Sequence, residues 1–141
     1  MNLKKVLLAF DGSRGSWRAL EWAAGLVRLV GAELVAVTVV KPPEFSSSIS
    51  EVEEFYEDAE KYYRPEIEKL QEYGRQSGVE IKTVFLRGHP AESIVKYAID
   101  RRFDLIVMGT RGLGGFKSMI IGSVAQKVTS YSQVPVTIIR E

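Results

Sequence analysis

The 141-residue sequence contains no cysteine, which excludes disulfides, thiolate catalysis and cysteine-ligated zinc. Its single histidine, His89, leaves no second imidazole for a two-histidine metal site. An excess of one charge is also missing: 19 Lys and Arg stand against 18 Asp and Glu, a formal balance of +1. That balance argues against a strongly basic nucleic-acid binder, so no nucleic-acid partner is expected. No run approaches the roughly 18 apolar residues of a membrane helix, and no membrane partner is expected either. The apolar run 6–10 stops at Asp11, short of the about 7–15 residues of a signal-peptide core. It reads as a buried strand, and the expected compartment is the cytosol. With 45% apolar and 26% charged residues, the chain has the composition of a globular protein and the length of one domain. Residues 1–141 are expected to form that single domain.

Short apolar runs rich in Val, Ile and Leu occupy 6–10, 34–40, 105–108 and 134–139. They do not alternate with polar residues, which is the habit of strands covered on both faces in a parallel sheet. A fifth run, 79–86, alternates more and fits a strand nearer an edge. Between the runs the period becomes helical. Trp17, Leu20, Ala24 and Val27 recur at spacings of three and four, with Gly31 as a stop. Ile94, Val95 and Ala98 form a shorter stripe that Pro90 opens, where a missing N–H costs nothing. The longest helical stretch is 51–76. Ser50 and Glu53 have capping-box spacing, and Pro65 predicts a kink or a restart. Its stripe of Val52, Phe55, Tyr56, Ala59, Tyr62 and Tyr63, continued by Ile67, Leu70 and Tyr73, reads as packing, with a partner-binding surface as the lesser alternative. Segment 41–50, with two prolines and a serine run, reads as a loop, and Ser46 to Ser48 as exposed linker. Alternating strands and helices give an α/β fold with a parallel sheet wrapped by helices. In such sheets ligands bind beyond the carboxyl ends of the strands, where the winding reverses.

Segment 109–123, after the fourth strand, is the informative one. Five glycines fall in its first fourteen positions, and it leads into a helical stretch where Ser123 and Gln126 have capping-box spacing. A glycine-rich turn feeding a helix N-terminus presents unpaired N–H groups to phosphate. A G-x4-G-K-[ST] loop fails because Phe116 precedes Lys117-Ser118. A G-x-G-x-x-G fingerprint from Gly112 fails at Lys117. What remains is G-x2-G-x9-G-S: Gly109, Gly112, Gly122 and Ser123.

On these residues the chain resembles the universal stress protein family, specifically its ATP-binding branch, whose motif is G-x2-G-x9-G-[ST]. The similarity extends over roughly 4–140. It takes in Phe10-Asp11-Gly12-Ser13, the segment from Gly88 to Ile94, and Val134-Pro135-Val136. The resemblance implies a Rossmann-like open sheet of five parallel strands in order 3-2-1-4-5, with helices on both faces. It also implies ATP, or ADP or AMP, as the ligand, with Mg²⁺ held through the phosphates and no protein metal site. Carried over residue by residue, Asp11 matches the acidic position near the nucleotide and Val39 the apolar adenine-side position. Met108 and Gly109 match the turn under the ribose. Gly112, Gly122, Ser123 and Val124 match the phosphate loop. Ala125 departs from relatives that carry a hydroxyl there, which removes one phosphate contact. The family's usual dimer, together with an apolar edge strand at 134–139, implies a homodimer through that strand.

Three readings of function follow. The leading one is a nucleotide-dependent regulatory switch in stress response, read by a protein partner of unknown identity. The second is a slow ATPase or an adenylate-transfer enzyme; against it, the loop offers backbone donors but no evident base to orient water. The third is a nucleotide-free interaction module, against which the intact glycine motif stands. Asp11 remains open between capping the first helix and a nucleotide role, and Arg111 and Lys117 between phosphate contact and solvation. His89 reads as a helix-entry residue.

Overall fold

The computed structural model describes residues 2–44, 48–110 and 122–140. Strands and helices alternate in it: β1 (Lys5–Ala9), α1 (Arg14–Val30), β2 (Glu33–Val40), α2 (Ile49–Ser77), β3 (Ile81–Arg87), α3 (Pro90–Asp100), β4 (Leu105–Gly109), α4 (Ser123–Tyr131) and β5 (Val136–Ile139). The sheet has the order β3-β2-β1-β4-β5 and every neighbouring pair is parallel. The expected α/β class and strand order are both present.

Three of the four unalternating runs, in β1, β2 and β4, are buried on both faces; the fourth, 134–139, is only partly buried, because β5 is an edge strand with no strand on its outer side among the described residues. Val6 and Leu8 turn to one layer, with Leu20, Ala23 and Val27 of α1 and Leu70 of α2. Leu7 turns to the other, with Ile94 and Ala98 of α3 and Val128 of α4. Burying one such side chain contributes about 1.5–3 kcal/mol. The alternating strand β3 does lie at an edge.

Element ends follow local chemistry. Ser13 caps α1 by accepting a hydrogen bond from the Ser16 N–H, and Gly31 closes the helix at φ 76° with its N–H on the Val27 carbonyl. Pro90 opens α3 as expected, after His89 at the cap position. Two predicted caps are different in the structure. Helix α2 starts at Ile49, and its cap is Ser48, whose hydroxyl accepts from the Glu51 N–H at 3.2 Å. The cap is therefore Ser48, whose hydroxyl also donates to the Glu51 carboxylate at 3.3 Å, two residues earlier than the expected Ser50 with Glu53, and Ser48 is not linker. Helix α4 is capped by Gly122 without a side-chain bond, and Ser123 is its first helical residue. The Gln126 N–H meets the Gly122 carbonyl at 2.9 Å, an ordinary first-turn bond, so Ser123 and Gln126 form no capping box. Nor does the chain restart at Pro65: α2 runs through it. Strand β3 begins two residues later than 79, because the Val79 N–H is taken by the Gly74 carbonyl at 2.8 Å in closing α2.

Candidate functional site

Strand β1 lies between β2 and β4. After β1 the chain turns into α1 on one face, whereas the helices that flank β4, α3 and α4, pack on the other. The winding therefore reverses between β1 and β4, and the carboxyl ends of these strands part there.

Asp11, Gly12 and Ser13 make the turn out of β1. Gly12 sits at φ 85°, a left-handed conformation that glycine adopts without a Cβ clash. The Asp11 Oδ1 accepts from the Ser13 N–H at 2.9 Å, and Ser13 in turn caps α1. Asp11 thus braces the turn and leaves the helix cap to Ser13, its carboxylate exposed beside the opening.

The first residues of α1 approach the end of β4 closely. A Cβ built on Gly109 would lie 2.6 Å from the Gly15 carbonyl oxygen. Gly109 is required by this backbone contact, whatever a ligand adds. Beyond it, Thr110 is buried and its carbonyl accepts from the Gly122 N–H at 2.6 Å. That bond ties the start of α4 to the end of β4. The first N–H groups of α4 are orphaned within the helix and carry its positive dipole end.

These parts enclose a cavity of about 720 Å³, inside the range of roughly 300–1,000 Å³ usual for small-molecule sites. Asp11, Val39, Met108, Gly109, Gly122, Ser123 and Val124 all line it. The eighth candidate, Gly112, lies outside the described residues, as do Arg111 and Lys117. Val37, Val39, Ile94 and Met108 give the cavity an apolar wall; Ser13, Ser16, Thr110 and Lys41 add polar groups. Ala125 is buried against α3 and β4 as well as lining the cavity. Among the described residues no cluster of three or more His, Asp or Glu is arranged to hold a metal.

Sequence reasoning missed one wall. Phe55, Ala59, Tyr62 and Tyr63 of α2 line the cavity, although their stripe read as packing. Phe55 is 42% exposed and Tyr62 79%. Burial, then the Asp11 charge, then Tyr62 raise the Tyr63 phenol above its ordinary pKa. The missed signal was a change along the stripe: Phe and Tyr fill its first half, and Ile67, Leu70 and Gly74 its buried second half.

The sequence profile of the universal stress protein family matches residues 2–140. The chain is 33% identical to universal stress protein YxiE of Bacillus subtilis over 145 residues, covering 96% of this chain and 98% of that protein. It is 39% identical to a universal stress protein of Thermus aquaticus, in the QAH/OAS sulfhydrylase 3′ region, over 140 residues, covering 97% and 98%. Among solved structures, MJ0577 of Methanocaldococcus jannaschii superposes with a TM-score of 0.88 at 26% identity, covering 100% of this chain and 98% of that one. UspA of Lactobacillus plantarum shares the fold with a TM-score of 0.87 at 21% identity, covering 99% of each. With this fold and a profile match over nearly its whole length, the chain belongs to the universal stress protein family.

Proposed function

We propose that this protein is a cytosolic adenine-nucleotide-binding switch that takes ATP, or ADP or AMP, in the cavity at the carboxyl ends of β1, β2 and β4. The observation that carries the reading is convergence. Asp11, Val39, the pair Met108 and Gly109, and residues 122 to 124 come from four separate stretches of chain and line one cavity. In this reading the phosphates meet the orphan N–H groups at the start of α4, where Gly122 leaves room for oxygens to approach. The base lies against the apolar wall that includes Val39, and the ribose near Asp11. Mg²⁺ enters with the phosphates. Occupancy sets the state of the segments that join β4 to α4 and β2 to α2, and a protein partner reads that state in a stress response. The active form is a homodimer joined through β5. Two solved structures of the same fold are a universal stress protein in complex with cAMP and one from Archaeoglobus fulgidus in complex with dAMP. At 23% and 24% identity, they share with this chain the fold alone.

The test is direct. Purified protein is denatured and the released small molecules are identified by mass spectrometry, and ATP binding is measured by calorimetry. Gly122→Val sets a branched side chain where phosphate oxygens approach and is expected to weaken binding by about 1–2 kcal/mol, the scale of a lost hydrogen bond or two. A folded variant with unchanged ATP affinity overturns the phosphate cradle.

A further inference from the structure

Helix α2 carries one side-chain stripe along its length, but among the described residues only its second half is buried against the sheet. Residues 55, 59, 63, 67, 70 and 74 succeed one another at spacings of three and four, so they share a face. Ile67, Leu70 and Gly74 are buried; Leu70 packs in the α1-side core, and Gly74 is so close to the segment entering β3 that an added Cβ would lie 2.6 Å from the Val79 carbonyl oxygen and 3.0 Å from the Ile81 Cδ1. Toward its N-terminus the helix passes beyond the ends of the strands, and the same face turns onto the cavity. There it presents Phe55, Ala59 and Tyr63, with Tyr62 beside them. The alanine leaves a gap between aromatic rings one turn to either side.

This overhang is held in place. Arg87, the last residue of β3, donates from Nη1 to Glu53 at 2.8 Å and from Nε to Glu60 at 3.1 Å. Its guanidinium also lies 4.7 Å from the centre of the Tyr56 ring. Three side chains spread over two turns of α2 are thereby fixed to the sheet edge, and the aromatic wall is preorganised.

The wall and the start of α4 line the same cavity, α2 coming from the α1 side of the sheet and α4 from the other side. A nucleotide whose phosphates sit at α4 therefore has α2 across the cavity from them. We propose that Phe55, Ala59, Tyr62 and Tyr63 form a stacking subsite for the nucleotide base, latched by Arg87. The subsite rests on the nucleotide reading above. It adds residues from an element that the glycine motif does not touch.

The experiment is an ATP titration of the whole chain by calorimetry, with two double variants. Phe55→Ala/Tyr62→Ala removes two rings and is expected to weaken ATP binding at least about tenfold, within the range of base–aromatic stacking. Phe55→Tyr/Tyr62→Phe keeps both rings and is expected to stay near the parent affinity. Both positions are exposed, so the variants fold as the parent does. An alanine variant that binds as tightly as the parent overturns the subsite and leaves the nucleotide reading standing. A ring-keeping variant that loses as much as the alanine variant does the same. A parent that binds no ATP overturns both.

Discussion

At the residue scale, the turn that carries Asp11 is joined to α2 through one carboxylate. Glu66 accepts the Trp17 indole N–H at 2.9 Å and pairs with Lys69 at 3.1 Å. Trp17 in turn meets Phe10 and Tyr73 edge-on, with ring centres 5.4 and 6.3 Å away. A Cβ on Gly12 would lie 3.0 Å from the Glu66 Cγ, so this side chain also packs on the turn itself. The Trp17 hydrogen bond, helped by Lys69, lowers the Glu66 pKa against the opposing effect of burial. A carboxylate with a lowered folded-state pKa adds stability that is present above its unfolded value, about 4.3, and is lost as pH falls through the folded value. We expect Glu66→Gln to melt below the parent at pH 7, by on the order of 1 kcal/mol or less given its partial exposure. The difference should close as pH falls below about 4.3. Thermal melts of both proteins from pH 7 downward check it; a gap independent of pH would show that the charge is not what matters.

At the scale of elements, α2 is the least ordinary part of the fold. A proline inside a helix removes a backbone hydrogen bond and crowds the carbonyl four residues back. From the local sequence alone, Pro65 predicts a kink or a restart. The helix nevertheless spans 29 residues, because both sides of the proline are held from outside. Ile67 and Leu70 are buried after it, and Arg87 holds Glu53 and Glu60 before it. Since Pro65 is exposed, an alanine there fits without repacking. We expect Pro65→Ala to raise the melting temperature by several degrees, realising part of the roughly 3 kcal/mol by which alanine exceeds proline in a helix interior. Calorimetry of the two proteins tests this, and a lower melting temperature in the variant would contradict it.

For the whole molecule, the expected dimer depends on the open edge of β5. The Ile106 N–H donates to the Pro135 carbonyl at 2.9 Å, so residue 135 points its carbonyl at β4. Backbone direction alternates along a strand. Thr137 therefore also faces β4, in register with Val107, and Val136 and Ile138 face the outer edge. A proline at 137 would damage the inner ladder, whereas one at 138 blocks only pairing with a second copy. Because the Ile138 side chain packs on the α3–α4 layer, Ile138→Ala serves as the control for lost packing. Sedimentation at micromolar protein should show dimers for the parent and for Ile138→Ala, and monomers for Ile138→Pro. A monomeric parent would remove the dimer from the proposed switch.

The parts legible in the sequence were those encoded by neighbours along the chain. Unbroken apolar runs marked the strands β1, β2 and β4, covered on both faces, although the run at 134–139 became a partly buried edge strand; alternation at 79–86 marked the other edge, and Gly31 and Pro90 marked helix ends. The glycine spacing drew attention to Gly109, Gly112, Gly122 and Ser123, and the family resemblance added Asp11, Val39, Met108 and Val124; all but Gly112, which lies outside the described residues, line the cavity. Such patterns report the conformation a segment prefers and which of its faces is apolar. They do not report what lies opposite that face. Whether the stripe of α2 met a sheet or a cavity depended on where the strands end. The reason Gly109 has no side chain was supplied by Gly15, far away in sequence. Which of Ser48 and Ser50 capped α2 was decided by where the helix began, and which N–H groups of β5 faced outward by its register with β4. Each of these depends on contacts between segments distant in the chain, and only the folded structure brings those segments together.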